Sequence, residues 1–352
     1  SHYLYDQEIP PSTRFQTENL YFRGLERDWL RHYPRLRQVL RGLWYPLGHW
    51  QLLQRMQTAP PDILHIQWSR LPRLDSAFIQ RVRQLGVPIV HTVHEVVPPF
   101  APQSSLAGAT QVYAAADRLI LHTQANLLEF ESHYPTVDTR CARIIPMLSL
   151  PYRGLPAAAN RQLARDQLGL SQAGRIVLFF GVVRANKGLD VLVEAFAQAQ
   201  RQQPDLYLLV AGLPDSLTDA STLDAARKLP NAHIHAGYIP YEQMWLFHLA
   251  ADVAIFPYRS ITQSMALFTA MDFGLPVIVT NVGGLPEALD GNGLVVQPGD
   301  VNALAEALIN LTTEPAAWAK RAARSVSLMR ERYTPEAVAR ATLAVYREVC
   351  GS

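Results

Sequence analysis

Two basic side chains follow a glycine turn near the middle of the chain. The segment 180–188 reads FGVVRANKG, and it lies between the apolar run Arg175–Phe180 and a helix predicted from Leu189. Where a strand turns into a helix, the free N–H groups of the helix start attract anions, and Arg184 and Lys187 add positive charge. The pattern is typical of a diphosphate site. Taken alone, it is equally typical of an ordinary turn with solvated basic side chains.

A second anion-binding pattern follows the predicted strand Val253–Phe256. Residues 262–271 read TQSMALFTAM, which predicts a helix with hydroxyl side chains before its first turn. Such a start presents free backbone N–H groups to an anion. The next predicted strand, 276–280, leads to a flexible pair, Gly283 and Gly284, beside another helix start. The alternative is a capped helix followed by a glycine-rich connection, as in many α/β proteins.

A histidine closes the apolar run Val87–His94 in the first half of the chain. The carboxyl end of a strand is where α/β proteins place functional side chains, and this favours a functional His94 over a purely structural one. His91 is expected on the other face of the strand because side chains alternate. Glu95 is either a base or a surface carboxylate.

The elements that must position these residues alternate between strands and helices, which predicts the α/β class with parallel sheets. The chain becomes rich in Ala, Gly, Pro and Gln between 151 and 172. This shift predicts a boundary between two α/β domains, 1–155 and 172–335. The apolar spacing after Pro335 predicts an amphipathic last helix at 335–350. Apolar runs of strand length occur at 62–68, 87–94, 118–122, 142–146, 175–180, 206–211, 232–235, 253–256, 276–280 and 293–296.

Composition and charge exclude several classes of protein. The 352 residues suffice for two domains, and the 49% hydrophobic and 18% charged fractions are those of a soluble globular chain. A formal charge of +2 argues against nucleic-acid binding through overall charge. No apolar run is long enough to predict a membrane-spanning helix. The two cysteines, Cys141 and Cys350, form no recognisable pair, and we expect a cytoplasmic protein.

An arginine- and aromatic-rich stretch occupies residues 23–50. Seven basic and two acidic residues lie between Tyr21 and Pro60. Three interpretations remain open: a solvated helix face, peripheral contact with an anionic membrane surface, or a direct grip on a phosphorylated acceptor.

The order of the motifs resembles the donor domain of family 4 glycosyltransferases over roughly residues 175 to 345. The resemblance implies the GT-B fold, in which two Rossmann-like domains face each other across a cleft and the last helix returns to the first domain. It also implies a retaining hexosyltransferase that uses a nucleoside-diphosphate sugar without cofactor or metal. The motifs that carry it are Gly181, Arg184 and Lys187-Gly188-Leu189-Asp190, then Ala250-Ala251-Asp252-Val253, Phe256-Pro257, Ala270-Met271, Gly274-Leu275-Pro276-Val277, Val282-Gly283-Gly284-Leu285-Pro286-Glu287 and 293–300.

The resemblance further implies roles for single residues. Lys187 would hold the donor diphosphate with help from Arg184, and the backbone of Ser264 and Met265 would meet the distal phosphate. His94 would lie near the anomeric carbon and position the sugar. The remaining predicted donor contacts are Gly181, Tyr238 and Ile239, the last two beside the base, and Thr262, Gln263 and Thr269 around the sugar and ribose.

The chain departs from the family pattern at the sugar and at the acceptor. Two glutamates eight residues apart are replaced by Ile261 and Thr269, and a threonine binds a ribose hydroxyl more weakly than a carboxylate does. We therefore expect contacts to the sugar from Thr262, Gln263 and backbone N–H groups. The family's opening strand and glycine-rich loop are not found before Asp62. No Asp-x-Asp pair occurs, which disfavours a metal-bridged diphosphate.

These patterns predict transfer of a sugar from a nucleoside-diphosphate sugar to an acceptor hydroxyl in glycan or glycolipid biosynthesis, with the acceptor a glycan or a lipid-linked molecule. Nucleic acid is not an expected partner. The alternatives are a non-catalytic nucleotide-binding GT-B subunit, and a nucleotide-sugar epimerase or phosphorylase.

Overall fold

The computed structural model describes residues 20–21, 32–97, 104–215 and 217–351, and it confirms the α/β class. Strands and helices alternate in the first half. In chain order they are α1 (Pro34–Thr58), β1 (Leu64–Ile66), α2 (Pro72–Gln84), β2 (Ile89–Thr92), α3 (Ser104–Ala114), β3 (Arg118–Leu121), α4 (Gln124–His133) and β4 (Ala142–Ile144).

The second half repeats the alternation with longer strands. In chain order its elements are α5 (Arg161–Gln167), β5 (Arg175–Phe180), α6 (Leu189–Gln202), β6 (Leu206–Gly212), α7 (Leu217–Arg227), β7 (Ala232–Ala236), α8 (Met244–Ala250), β8 (Val253–Phe256), α9 (Met265–Asp272), β9 (Val277–Thr280), β10 (Gly293–Val296), α10 (Val301–Thr313), α11 (Pro315–Arg332) and α12 (Pro335–Cys350).

The strands form two parallel sheets. The first has the order β1-β2-β3-β4 and the second β10-β9-β8-β5-β6-β7. Neighbouring strands in both sheets run in the same direction. The carboxyl ends of each sheet therefore meet at one edge, where α/β proteins bind their ligands.

Helices cover both faces of the second sheet. Along β5, Ile176 and Leu178 enter one buried apolar cluster, whereas Val177 and Phe179 enter the cluster on the opposite face. A strand that is apolar on both sides must be buried on both sides, which explains why the sequence shows continuous apolar runs here.

The segment between the two sheets belongs to the second one. Arg165 on α5 is buried and donates to the carboxylate of Asp252 at 2.8 Å, and Arg161 and Arg175 also bond this carboxylate. Three guanidinium groups compensate the loss of hydration of the buried Asp252. The resulting network holds α5 at the amino edge of the second sheet.

The last helix returns to the first sheet. Val345 of α12 packs with Val90, Ile120 and Ile145, and Glu348 accepts hydrogen bonds from Arg118 and Arg143. Within the stretch 23–50, residues 23–31 lie outside the described part, and α1 begins at Pro34. No helix in the part of the chain that the structure describes has the length and apolarity to cross a membrane.

Candidate active site

Three loops lie side by side at the carboxyl edge of the second sheet. The loops 181–188, 257–264 and 281–285 follow β5, β8 and β9, and these strands are neighbours in the sheet. Topology alone therefore brings the two anion-binding patterns of the sequence together.

The first loop depends on Gly188. Its φ is +67°, and a Cβ atom there would lie 2.0 Å from the carbonyl oxygen of Pro257. Only glycine allows both this left-handed conformation and this close approach of the two loops. The turn ends at Gly188, and α6 starts immediately after it.

An arginine clamps the first loop to the second. The guanidinium of Arg259 bonds both carboxylate oxygens of Asp190 and donates to the carbonyl oxygen of Ala185 at 2.8 Å. Its backbone N–H donates to the carbonyl oxygen of Asn186, whose amide donates to that of Ser260. These bonds fix the backbone on both sides of Lys187.

The Lys187 ammonium lies over an aromatic ring. Its Nζ is 3.7 Å from the ring centroid of Tyr258, which is buried. No carboxylate within the described ranges forms an ion pair with Lys187. Burial, and next the charge of Arg184, lower the pKa of Lys187 to about 8. The ring orients the cation while leaving its charge uncompensated, which suits an anionic ligand.

Arg184 is paired differently. Its Nε lies 2.9 Å from the carboxylate of Asp215, and both side chains are about half exposed, at 55% and 53%. An exposed ion pair of this kind is weak and exchangeable. Arg184 can therefore assist at a phosphate only by sharing or leaving Asp215.

The start of α9 is the third anion-binding element. Ser264 is buried and caps the helix by accepting from the N–H of Leu267, whereas Met265 is exposed. The first N–H groups of the helix have no carbonyl partner within it. Thr269 donates its hydroxyl proton to the carbonyl oxygen of Met265 at 3.0 Å, so it can only accept from a ligand.

The glycine pair closes against the loop that precedes α9. Gly283 has φ +51°, and a Cβ there would lie 1.8 Å from the carbonyl oxygen of Ile261. The N–H of Gly284 donates to the carbonyl oxygen of Thr262 at 3.0 Å, and a Cβ on Gly284 would collide with Gln263. Thr262 is thus held by a backbone hydrogen bond, and the side chain of Gln263 lies against Gly284.

The remaining predicted donor residues lie along the same edge. Gly181 follows β5 with φ +125°, and its carbonyl oxygen packs on Gly212 at the end of β6. Tyr238 and Ile239 follow β7, the edge strand; Tyr238 is exposed and Ile239 packs on the core. The structure thus separates the residues predicted for the base from Lys187 by the width of two strands.

His94 lies in a polar cluster at the carboxyl edge of the first sheet. Its ring stacks on Trp68 with centroids 4.7 Å apart, and its Nδ1 is 3.1 Å from Nε2 of His122. Burial, and then the charges of His122 and His65, lower the pKa of His94 to about 4. His94 is therefore neutral at pH 7 and serves as a hydrogen-bonding group.

Hydrogen bonds fix the tautomer of His94. His122 Nδ1 donates to the carbonyl oxygen of Ile145 at 2.9 Å, so the neutral ring accepts at Nε2 and His94 must donate from Nδ1. His94 Nε2 then carries a lone pair towards the side-chain amide of Gln67, 2.9 Å away. The structure places the amide oxygen of Gln67 at this nitrogen. Since the two ends of an amide exchange by a half-turn, we infer that the amide nitrogen faces His94 instead.

The hydrogen bonds continue from Gln67 to the last helix, α12. With its nitrogen towards His94, the Gln67 amide presents its oxygen to Nε2 of His65, which also lies 2.8 Å from the hydroxyl of Thr92. His65 Nδ1 then accepts from the Tyr346 hydroxyl at 2.6 Å. A single chain of hydrogen bonds, here called the polar chain, thus links α12 to the end of β4 through Tyr346, His65, Gln67, His94, His122 and Ile145.

Contacts between the halves bring the two edges together. Both carboxylate oxygens of Glu287 accept, at 2.7 Å, from the backbone N–H groups of Gln124 and Ala125 at the start of α4. A Cβ on Gly284 would lie 2.5 Å from the side chain of Thr123, the residue after His122. The loop 281–285 therefore lies beside the polar chain.

Several of these residues were not found from the sequence. Tyr258, Asp190, Arg259 and Asp215 were not assigned roles, although Tyr258 directly follows a predicted strand end. A role for His122 could have been predicted from the sequence, because it ends the predicted strand that follows the strand ending in His94. Within the described ranges, no three His, Cys, Asp or Glu side chains are grouped to hold a metal ion.

Two parallel α/β units that contact each other near the carboxyl edges of their sheets are typical of the GT-B class. Solved structures share the fold: sucrose-phosphate synthase from Thermosynechococcus elongatus has a TM-score of 0.68 and 22% identity, over 87% of this chain and 78% of that one. Anabaena HepE in complex with UDP has a TM-score of 0.70 and 16% identity, over 88% and 84%. These comparisons confirm the predicted fold.

Residues 160–326 match the family described as glycosyl transferases group 1. Among curated relatives, the D-inositol 3-phosphate glycosyltransferase of Saccharomonospora viridis is 29% identical over 75% of this chain and 65% of its own. That of Streptomyces avermitilis is 30% identical, over 74% and 60%. The chain thus spans less than two thirds of the length of these relatives.

Proposed function

We propose that the chain transfers a sugar from a nucleoside-diphosphate sugar to an acceptor hydroxyl. The observation that carries the proposal is the convergence of three positive features at one sheet edge, namely Lys187, Arg184 and the start of α9, beside the neutral His94. A diphosphate is the ligand that such a set binds best.

The comparisons support this chemistry. The relatives carry the name of a glycosyltransferase, and HepE has been solved with UDP and with UDP-glucose. A nucleoside diphosphate is therefore the proposed leaving group, with its base beside Tyr238 and Ile239.

We also propose how the residues share the work. Lys187, Arg184 and the N–H groups of α9 stabilise the charge that develops on the departing diphosphate, so that no metal ion and no cofactor is required. The fixed tautomer of His94 directs its Nε2 lone pair at Gln67, and a sugar hydroxyl that displaces this amide is oriented by the same lone pair. Thr262, Gln263 and Thr269 contact the sugar and ribose. Retention of configuration follows from the family resemblance.

For the acceptor we propose only its chemical class and its route into the site. A glycan or a lipid-linked hydroxyl would enter between the two sheets, near the contact of Glu287 with α4. The proposed location of the protein is the cytoplasm, with peripheral contact at a membrane.

The test measures release of nucleoside diphosphate from UDP-, GDP- and ADP-sugars. The reactions contain EDTA, and chromatography quantifies the nucleoside diphosphate. We expect slow hydrolysis of one donor by the wild-type protein. Lys187→Ala should abolish it, and Lys228→Ala, which alters an exposed lysine directly after α7, should not. No release from any donor would overturn the proposal. A complete block by EDTA would overturn its metal-free form.

One observation favours a second candidate function. Ile261 and Thr269 replace two acids, and the Thr269 hydroxyl is already used within its helix. A chain that binds nucleotide without transferring sugar would have lost these acids in the same way. Tight binding of a nucleoside diphosphate with no release from any sugar conjugate, in the presence of acceptor mixtures, would identify this function.

A further inference from the structure

Helix α1 presents a stripe of apolar side chains to solvent. Leu36, Val39, Leu43, Leu47 and Trp50 are exposed at 45%, 60%, 67%, 39% and 55%. Their spacing of three or four residues places them on one face of the helix over four turns. This set is called the α1 stripe below.

The opposite face of α1 is already used. Tyr45, Leu53 and Met56 are buried, the last two in the core of the first half of the chain, and the Tyr45 hydroxyl donates to the buried carboxylate of Asp75 at 2.7 Å. The helix is therefore fixed to the protein by one face, and the α1 stripe is the face that remains.

The charge of α1 identifies the kind of surface that fits the stripe. The helix carries four arginines and no aspartate or glutamate in its 25 residues. A helix with an apolar face, an aromatic residue at the end of that face and only basic charges matches an anionic lipid surface. A second copy of the same helix would bring like charges together. The arginines are Arg35, Arg37, Arg41 and Arg55.

The stripe lies towards the carboxyl edge of the first sheet. Asp75 is in the first turn of α2, which follows β1, and Tyr45 reaches it from the middle of α1. The middle of α1 therefore lies at the end of the first sheet where β1 ends and α2 begins. Docking through the stripe would hold the carboxyl edge of the first sheet, where His94 lies, close to the lipid surface.

We propose that α1 docks the protein on an anionic lipid bilayer through the α1 stripe. The stripe enters the interface between headgroups and acyl chains, and the positive charge of α1 attracts the anionic headgroups. The proposal does not depend on sugar transfer, since it concerns a surface outside the donor loops.

The experiment is co-sedimentation with vesicles of phosphatidylcholine alone or with phosphatidylglycerol added, at low and at physiological salt. We expect binding only to the anionic vesicles, and weakening by salt. Leu43→Asp should abolish the binding. Leu343→Asp, an equally drastic change at a 50% exposed leucine of α12, should leave it intact.

Charge is tested in the same assay. Arg35→Gln with Arg37→Gln should weaken binding by roughly fivefold for each arginine removed. The matched control is Arg201→Gln with Arg330→Gln, which removes two arginines from helices of the second half. Thermal unfolding and nucleotide binding of each variant show that it is folded and that the donor site is intact.

Three results would overturn the proposal. They are failure of the wild-type protein to bind anionic vesicles at low salt, equal loss of binding in Leu43→Asp and Leu343→Asp, and self-association of the wild-type protein in light scattering that Leu43→Asp abolishes without any lipid binding. The last result would identify the stripe as a contact between copies.

Discussion

The pairing of Lys187 with an aromatic ring sets the titration of the candidate phosphate site. A lysine beside a carboxylate would stay charged well above neutral pH, whereas burial over Tyr258 lowers the pKa of Lys187 to about 8. The charge that a diphosphate needs is therefore lost within the range accessible to experiment.

We expect the affinity for nucleoside diphosphate to fall as pH rises through about 8, because the protonated Lys187 binds and the neutral amine does not. The decline should approach tenfold per pH unit above that value. Lys187→Arg, which stays charged, should bind with little pH dependence. Isothermal titration between roughly pH 7 and pH 9 measures this, and a flat wild-type profile would contradict the assignment.

A second residue-scale prediction concerns Gly188. Gly188→Ala should lower donor affinity strongly, because it adds backbone strain of about 1–3 kcal/mol and a collision with the carbonyl of Pro257. The control is Gly299→Ala, where φ is +79° and nothing lies within 4 Å of the added Cβ. Nucleotide titration and thermal unfolding of both variants measure the difference. Equal effects would mean that loop contact is unimportant.

At the scale of elements, the polar chain connects four strand ends and a helix. Tyr346 donates to His65 at one end of the polar chain, and His122 donates to Ile145 at the other end. We assign neither side chain a direct contact with a ligand. Their effect on His94 is to fix which nitrogen carries the proton. Both are therefore positioning residues.

Tyr346→Phe and His122→Asn should lower kcat by roughly three- to tenfold, the range expected for one lost hydrogen bond in a network, while leaving donor affinity unchanged. The pH profile of kcat should shift as well, because the histidines lose a partner that holds their tautomer. Tyr207→Phe, whose ring lies near His233 in the second sheet, is the control. A loss of stability with no change in the pH profile would indicate a structural role only.

At the scale of the whole molecule, Glu287 joins the donor loops to α4. A carboxylate at a helix N-terminus is stabilised by the helix dipole by about 0.3–1 kcal/mol. Glu287→Gln should therefore lower kcat/KM by roughly two- to fivefold and favour more open conformations, visible as a larger radius of gyration in X-ray scattering with bound nucleotide. Glu331→Gln on α11 is the control. An unchanged scattering curve and unchanged kinetics would show that this contact does not hold the closed arrangement.

The strands could be predicted from the sequence because buried parallel strands are continuous apolar runs, as Arg175–Phe180 illustrates. The phosphate loops could be predicted because each is local and follows such a run. The polar chain could not, since it joins residues as distant as His65 and Tyr346, and their adjacency depends on strand order and on the docking of α12. The pairing of Arg184 with Asp215 was missed for the same reason.

The central claim is that Lys187 holds a nucleoside diphosphate, and its most direct test is calorimetric titration of the wild-type protein, Lys187→Ala and Lys228→Ala with UDP, GDP and ADP. We predict that one of the three nucleotides binds to the wild-type and Lys228→Ala proteins alike, and that Lys187→Ala weakens this binding by at least about tenfold. Equal affinity in all three proteins, or no binding of any nucleotide to the wild-type protein, would contradict the account.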